Sequence, residues 1–261
     1  MKALLGDIEV SYTAQGEGMP VVFVHGLAEG KESWCEIQKR IGNFRTYAYD
    51  LRGHGETTLG IGKGTIEQLG DDLVTFLEKV CGRAQCVGYS LGGTLVLWAA
   101  AKRPELVSAA IVAGTSAVVG RQAVGFFSDR IRMIEENFSA FAPVLKKDTA
   151  LQIVTSGVDL EALTARRLEA VGNGGGYVNA ARAMIGLHEN PLTPLLSNIQ
   201  CPVSVIGGSG DIFCPRKAAD IMLNKLSNGT YQEVNDAGHL MSVDQLENYS
   251  NTIHKSLQRR N

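Results

Sequence analysis

Gly88-Tyr89-Ser90-Leu91-Gly92 reads G-x-S-x-G, a spacing with a specific physical use. A serine at the apex of a strand-to-helix turn sits in strained backbone, and the chain passes close on both sides of it. The positions two before and two after must therefore lack a side chain. Gly93 adds clearance. The same pentapeptide also serves as an ordinary glycine-rich turn opening a helix. Context favours a nucleophile: the apolar run Gln85-Cys86-Val87 ends just before the motif, and an apolar helix, Leu91 to Lys102, starts just after it. A serine hydroxyl needs a base to attack at neutral pH, and the chain holds five histidines. His54 lies beside Asp50 and Arg52, where a hydrogen-bonding role in the loop suffices. His188 precedes Glu189 and reads as exposed, and His254 sits among basic residues of a C-terminal helix and reads as solvated. His239, in the small-residue loop Ala237-Gly238-His239, is the candidate base. An acid must hold its tautomer, and Asp50, Asp211 and Asp236 compete for that role. Asp211, in Gly-Ser-Gly-Asp, also suits a plain turn.

The elements that would carry these residues alternate. Ile8 to Thr13 alternates apolar and polar side chains, as an edge strand does. Val21 to Val24, Thr46 to Tyr49, Gln85 to Val87 and Ala109 to Ala113 are short continuous apolar runs, the pattern of strands buried on both faces. Between them Lys31 to Ile41 and Thr65 to Val80 read as helices, the second with an apolar stripe and Thr65 as its cap. From Thr115 to about Asn198 the patterns are mostly helical, as in Phe126 to Phe138 and Leu160 to Val171, with the glycine run 172–176 as an interruption. Strand character returns at Val203 to Ile206. A helix from Arg216, a strand from Thr230 to Val234 and a closing helix from Met241 follow. Strands alternating with helices predict an α/β architecture, a mostly parallel central sheet flanked by helices. Residues 1–114 and 199–261 form the core, and residues 115–198 a helical insertion within it. Gly60 to Thr65 loosely resembles a phosphate-binding loop but lacks its ending and reads as a surface loop.

With these motifs in place the chain resembles the α/β-hydrolase family over almost its whole length. The resemblance rests on His25-Gly26 after the Val21 strand, Asp50-Leu51-Arg52-Gly53-His54-Gly55 after the next, the Gly88 to Gly92 turn, Gly207-Gly208-Ser209-Gly210-Asp211 after a late strand, and Ala237-Gly238-His239. The order Ser, Asp, His is the family's order. The resemblance implies Ser90 as nucleophile, His239 as base and Asp211 as acid, with His25 a structural turn residue. Some relatives carry the acid one strand earlier, but here that stretch, Ala113-Gly114-Thr115-Ser116, holds none. It also implies an oxyanion hole built from the backbone N–H groups of Leu27 and Leu91, and a lid formed by residues 115–198. Substrate-lining candidates are Trp34, Phe126, Phe127, Phe138, Met184 and Leu240, although core packing explains Trp34 better. Within the family the chain is most similar to small esterases, lactonases, enol-lactonases and cofactor-free haloperoxidases.

Composition narrows the function classes. The 261 residues carry 25 basic and 27 acidic side chains, a net charge of −2, so no general attraction to nucleic acid or anionic lipid is expected. A hydrophobic content of 44% with 20% charged residues excludes a disordered chain. No apolar run approaches the ~18 residues of a membrane span, and the N-terminus lacks a signal-peptide core. Five scattered cysteines (Cys35, Cys81, Cys86, Cys201, Cys214) without a C-x-x-C pair suit buried thiols in a reducing, cytoplasmic compartment. No metal or organic cofactor is implied. The expected substrate is a small carboxylic ester or lactone, and Arg121, Arg130 and Arg132 leave room for one bearing an anionic group. C–C bond hydrolysis, cofactor-free lyase or dioxygenase chemistry, and a non-catalytic receptor are the alternatives on the same scaffold.

Overall fold

The computed structural model describes residues 1–259. Eight strands form one sheet: β1 (Lys2–Leu5), β2 (Ile8–Gln15), β3 (Met19–Val24), β4 (Phe44–Tyr49), β5 (Ala84–Tyr89), β6 (Val107–Ala113), β7 (Val203–Gly208) and β8 (Gly229–Val234). Their spatial order is β1-β2-β4-β3-β5-β6-β7-β8. β2 runs antiparallel to both of its neighbours, and every other pairing is parallel. The expected edge strand is therefore one place inside the sheet. The real edge, β1, has only four residues and no alternation to reveal it.

The helices are α1 (Cys35–Arg40), α2 (Ile66–Phe76), α3 (Leu91–Lys102), α4 (Arg121–Asn137), α5 (Phe141–Ala150), α6 (Leu160–Val171), α7 (Gly175–Gly186), α8 (Arg216–Leu223), α9 (Met241–Asp244) and α10 (Leu246–Gln258). Thr65 caps α2 by accepting the Gln68 N–H, as expected. α3 buries every residue except Lys102, which is why its apolar side chains run all the way round. One apolar cluster covers the face that holds α2 and α3, and a second covers the face that holds α1 and α10. α4 to α7 fall between β6 and β7, with α4 packed on α7 and α5 on α6. They have a small core of their own around Phe141, Tyr177 and Ile134. α7 starts inside the glycine run that reads as an interruption. Gly176 is required there because it rests on the Gly53 backbone, and a Cβ would stand 2.2 Å from the Gly53 oxygen.

This topology creates the site. From β3 the chain crosses to β4 on one side and later to β5 on the other, so a crevice opens between the C-terminal ends of β3 and β5. The loops at that crevice are held by two buried histidines. His25 Nε2 accepts the Leu51 N–H at 2.8 Å, which leaves Nδ1–H to donate to the Gly26 carbonyl at 2.8 Å. His54 Nε2 lies 2.8 Å from the Leu27 carbonyl, and the ring packs edge-on to His25 at 5.3 Å between centroids. Burial pushes both imidazoles down from their ordinary value. Asp50 does not pair with Arg52 or His54: it accepts from the Lys31 N–H at 2.7 Å and its ammonium at 2.8 Å, while Arg52 forks onto Asp72 at 2.8 and 2.7 Å.

Two predictions follow from these contacts. Neutral buried histidines bind fewer protons than the same residues unfolded, so stability is full above an unfolded pKa near 6.5 and falls as pH drops below it. Between pH 6 and 5 the pair should contribute a slope of at most about 2.7 kcal/mol per pH unit, and His54→Gln should remove close to half of it. Urea melts across that range check this, and an unchanged slope in the variant counts against a neutral His54. Second, a Cβ at Gly92 would stand 2.1 Å from the Val24 oxygen. Gly92→Ala should cost about 3 kcal/mol in the same melts, whereas Gly186→Ala, with nothing within 4 Å, should be neutral or stabilising by up to about 1 kcal/mol.

Candidate active site

Ser90 ends β5 and caps α3 at φ 51°, ψ −119°, a conformation few side chains adopt. It is tolerated because the residues two before and two after it are glycines: a Cβ at Gly88 would lie 2.3 Å from the Gly92 oxygen. The Ser90 N–H donates to the Ala113 carbonyl at 2.9 Å, and the Thr115 hydroxyl donates to the Ser90 carbonyl at 2.6 Å. These bonds tie the turn to the end of β6. The hydroxyl itself stays free to face His239, whose Nε2 lies 3.1 Å from Ser90 Oγ.

The His239 ring is held at its other nitrogen. Asp211 Oδ2 lies 2.8 Å from Nδ1, and Asp211 Oδ1 accepts the N–H groups of Phe213 and Cys214 at 2.8 and 2.9 Å. Burial opposes the charge on Asp211, but the imidazole and the two backbone donors hold its carboxyl below the ordinary value. The carboxylate thus selects the tautomer that leaves Nε2 as an acceptor toward the serine. Tyr89 and Phe213 pack against the ring at 5.2 and 5.4 Å between centroids. Asp50 is occupied by Lys31, and Asp236 sits in a turn whose N–H bonds the Ser209 hydroxyl, so neither competes for His239.

Leu27 and Leu91 line the same cavity as Ser90, and neither backbone N–H donates to an acceptor among the described residues. His25 fixes the peptide that carries the Leu27 N–H from its far side, through the Gly26 carbonyl, and His54 holds the next peptide through the Leu27 carbonyl. Two free N–H groups beside a nucleophilic oxygen are what a developing oxyanion requires.

The cavity over Ser90 has a volume of about 400 Å³. Phe126, Phe127 and Met184 line it. Trp34, Phe138 and Leu240 do not. Trp34 is 2% exposed and packs on Phe23 beneath the sheet, with ring centroids 4.9 Å apart. Phe138 stacks on Phe141 and turns its other face to solvent. Leu240 is drawn into the core because its own N–H donates to the Gln152 carbonyl, which turns the side chain away from the cavity. The arginines at the start of the insertion are also absent from the lining: Arg130 forks onto Asp148 at 2.7 and 2.8 Å, and Arg132 pairs with Asp129. Phe213, Gln152 and Arg167 line the cavity without any periodicity in the sequence marking them.

Asp244 is a further residue that the motifs do not mark. Its buried carboxylate accepts the N–H of Gly238 at 2.8 Å, next to His239, and those of Val154 and Thr155 at 3.1 and 2.9 Å. One acid thereby holds the histidine loop and the connection between α5 and α6 together. Among the described residues no group of three or more His, Cys, Asp or Glu side chains is arranged to hold a metal, and no helix is long and apolar enough to cross a membrane. All five cysteines are free, with only Cys86 fully buried.

Comparison with known proteins places this geometry in a family. The chain is 25% identical to 3-oxoadipate enol-lactonase 2 of Acinetobacter baylyi, over 98% of this chain and 95% of that one. Among solved structures, the enol-lactonase of Burkholderia xenovorans LB400 superposes with a TM-score of 0.89 at 22% identity, covering 99% of this chain and all of that one. A thermophilic esterase from Thermogutta terrifontis gives 0.83 at 24% identity, covering 99% and 97%. The sequence model of the alpha/beta hydrolase fold matches residues 19–246, and with the Ser-Asp-His order and the sheet in agreement, the chain belongs to the α/β-hydrolase family.

Proposed function

We propose that the protein is a serine hydrolase that cleaves a small carboxylic ester or lactone through an acyl-enzyme on Ser90. The observation that carries this reading is the continuous chain from Ser90 Oγ through His239 to Asp211, facing two unpaired backbone N–H groups. Ser90 Oγ attacks the carbonyl carbon while His239 Nε2 takes its proton. The carbonyl oxygen, now negative, lies against the N–H groups of Leu27 and Leu91. Asp211 stabilises the imidazolium without taking its proton. Collapse breaks the bond to the alkoxy oxygen, which receives the proton from His239 and leaves as the alcohol; in a lactone it stays tethered. Water then attacks the acyl-enzyme by the same route, giving the carboxylic acid and free Ser90. In this reading residues 115–198 act as a lid, and Phe126, Phe127 and Met184 select the acyl or alcohol group. The names of the relatives, lactonase and esterase, support the bond class, and the five free thiols support a cytoplasmic location.

Two predictions test the reading. A fluorophosphonate probe should phosphonylate Ser90, detected as an adduct on its peptide, and Ser90→Ala should lose the label and nearly all ester turnover while keeping its melting temperature. A folded variant that retains more than a few per cent of turnover overturns the assignment. Asp211→Asn should lower kcat by roughly 10²–10⁴-fold, the range for loss of a tautomer-setting carboxylate, whereas Asp50→Asn and Asp236→Asn should cost far less rate. Steady-state kinetics on one ester, with melts alongside, compare the three. Normal turnover in Asp211→Asn with collapse in either other variant gives the role to a different acid.

A further inference from the structure

Arg167 lies on α6 and is 7% exposed, between the cavity that contains Ser90 and a neighbouring one lined by Glu29, Glu32, Glu36, Glu56 and Glu169. Its hydrogen-bond partners are all neutral. Nε donates to the Ala28 carbonyl at 3.3 Å, and one terminal nitrogen, Nη1, donates to the Thr149 hydroxyl at 3.0 Å and the Gln152 side-chain oxygen at 3.2 Å. The other terminal nitrogen, Nη2, donates to no acceptor among the described residues. None of its hydrogen bonds reaches a carboxylate, in contrast to Arg52 on Asp72 and Arg130 on Asp148. Asp148 borders the Ser90 cavity but is fully used by Arg130. The other acid on the wall of the Ser90 cavity is the half-buried Glu29, whose carboxyl is raised mainly by burial although Arg167 pulls it down. A largely buried guanidinium with one terminal nitrogen unbonded and no carboxylate hydrogen-bonded to it can take an anion, and its geometry suits a carboxylate.

We infer that Arg167 is the substrate's anion-binding residue: the ester or lactone cleaved at Ser90 carries a carboxylate of its own, remote from the scissile bond, that pairs with Nη2. The inference rests on the hydrolase reading above and deepens it. It narrows the substrate class from small esters and lactones to half-esters and lactones of dicarboxylic acids, short enough for a cavity of about 400 Å³. The bond from Nε to Ala28 gives Arg167 a structural part as well, because it pins α6 to the loop that carries the Leu27 N–H. A clamp alone, however, would have no preference for charge.

The experiment compares monomethyl succinate, glutarate and adipate with the matching esters in which the free carboxylate is a primary amide, equal in size but neutral. For at least one chain length the intact enzyme should favour the acid over the amide by about tenfold to a hundredfold in kcat/KM, mostly through KM, the range of a charge-assisted hydrogen bond. Arg167→Gln should bring that ratio close to one, and Arg167→Lys should restore part of it. Glu29→Gln, which removes the nearest competing acid and leaves the arginine in place, should raise the ratio; it serves as the test if Arg167→Gln does not fold. No preference at any chain length, or a preference that survives in folded Arg167→Gln, overturns the inference, as does an equal loss on acid and amide. If no ester turns over and the fluorophosphonate does not label Ser90, the hydrolase reading has failed. The anion site is then read separately: glutarate should raise the melting temperature of the intact protein and not that of Arg167→Gln, and the absence of any shift with the intact protein overturns it.

Discussion

Close approach of backbone to backbone around Ser90 is the constraint on which the rest of the molecule is arranged. Holding a serine at φ 51° costs conformational energy, and that cost is met only because β5, α3 and the end of β3 converge on a space too small for any Cβ at positions 88 or 92. The buried strand before the turn and the wholly apolar helix after it leave the turn no freedom to relax. The same convergence sets Leu27 and Leu91 side by side, because one follows β3 and the other opens α3. In our reading, nucleophile and oxyanion donors are thus products of a single packing event.

Around that point the charges are sorted by burial. Buried carboxylates are given backbone or cationic donors: Asp211 accepts two N–H groups, Asp50 a lysine and its own loop, and Asp72 an arginine fork. The two histidines that only hold loops are kept neutral by the absence of water. His239, at the cavity, has a carboxylate on one nitrogen and a hydroxyl on the other. Imidazoles of identical chemistry thus serve as rigid struts in one place and as a proton carrier, in our reading, in another.

Much of this was legible in the chain because it depends on local pattern. The apolar runs at Val21, Thr46, Gln85, Ala109 and Val203 all became strands, since a strand buried on both faces has no choice of composition. That Ser90, Asp211 and His239 meet followed from the resemblance to the α/β-hydrolase family that their motifs and order carry. What could not be read was direction and distance. β1 is too short to show a period, and α7 opens on glycines chosen for contact with Gly53 rather than for helix propensity. Trp34, Leu240 and Phe138 are apolar in the right neighbourhood but point elsewhere, and nothing in a linear sequence distinguishes Arg167 from Arg166 beside it, one turned inward and the other exposed.

Asp244 has a consequence for how such a protein can change over time. Because one carboxylate bridges Gly238 to Val154 and Thr155, the helical insertion and the loop bearing His239 share a mechanical joint. The insertion is therefore not a detachable module. A lineage that exchanged it for another cap would have to replace the joint at the same moment or leave the imidazole loop unanchored.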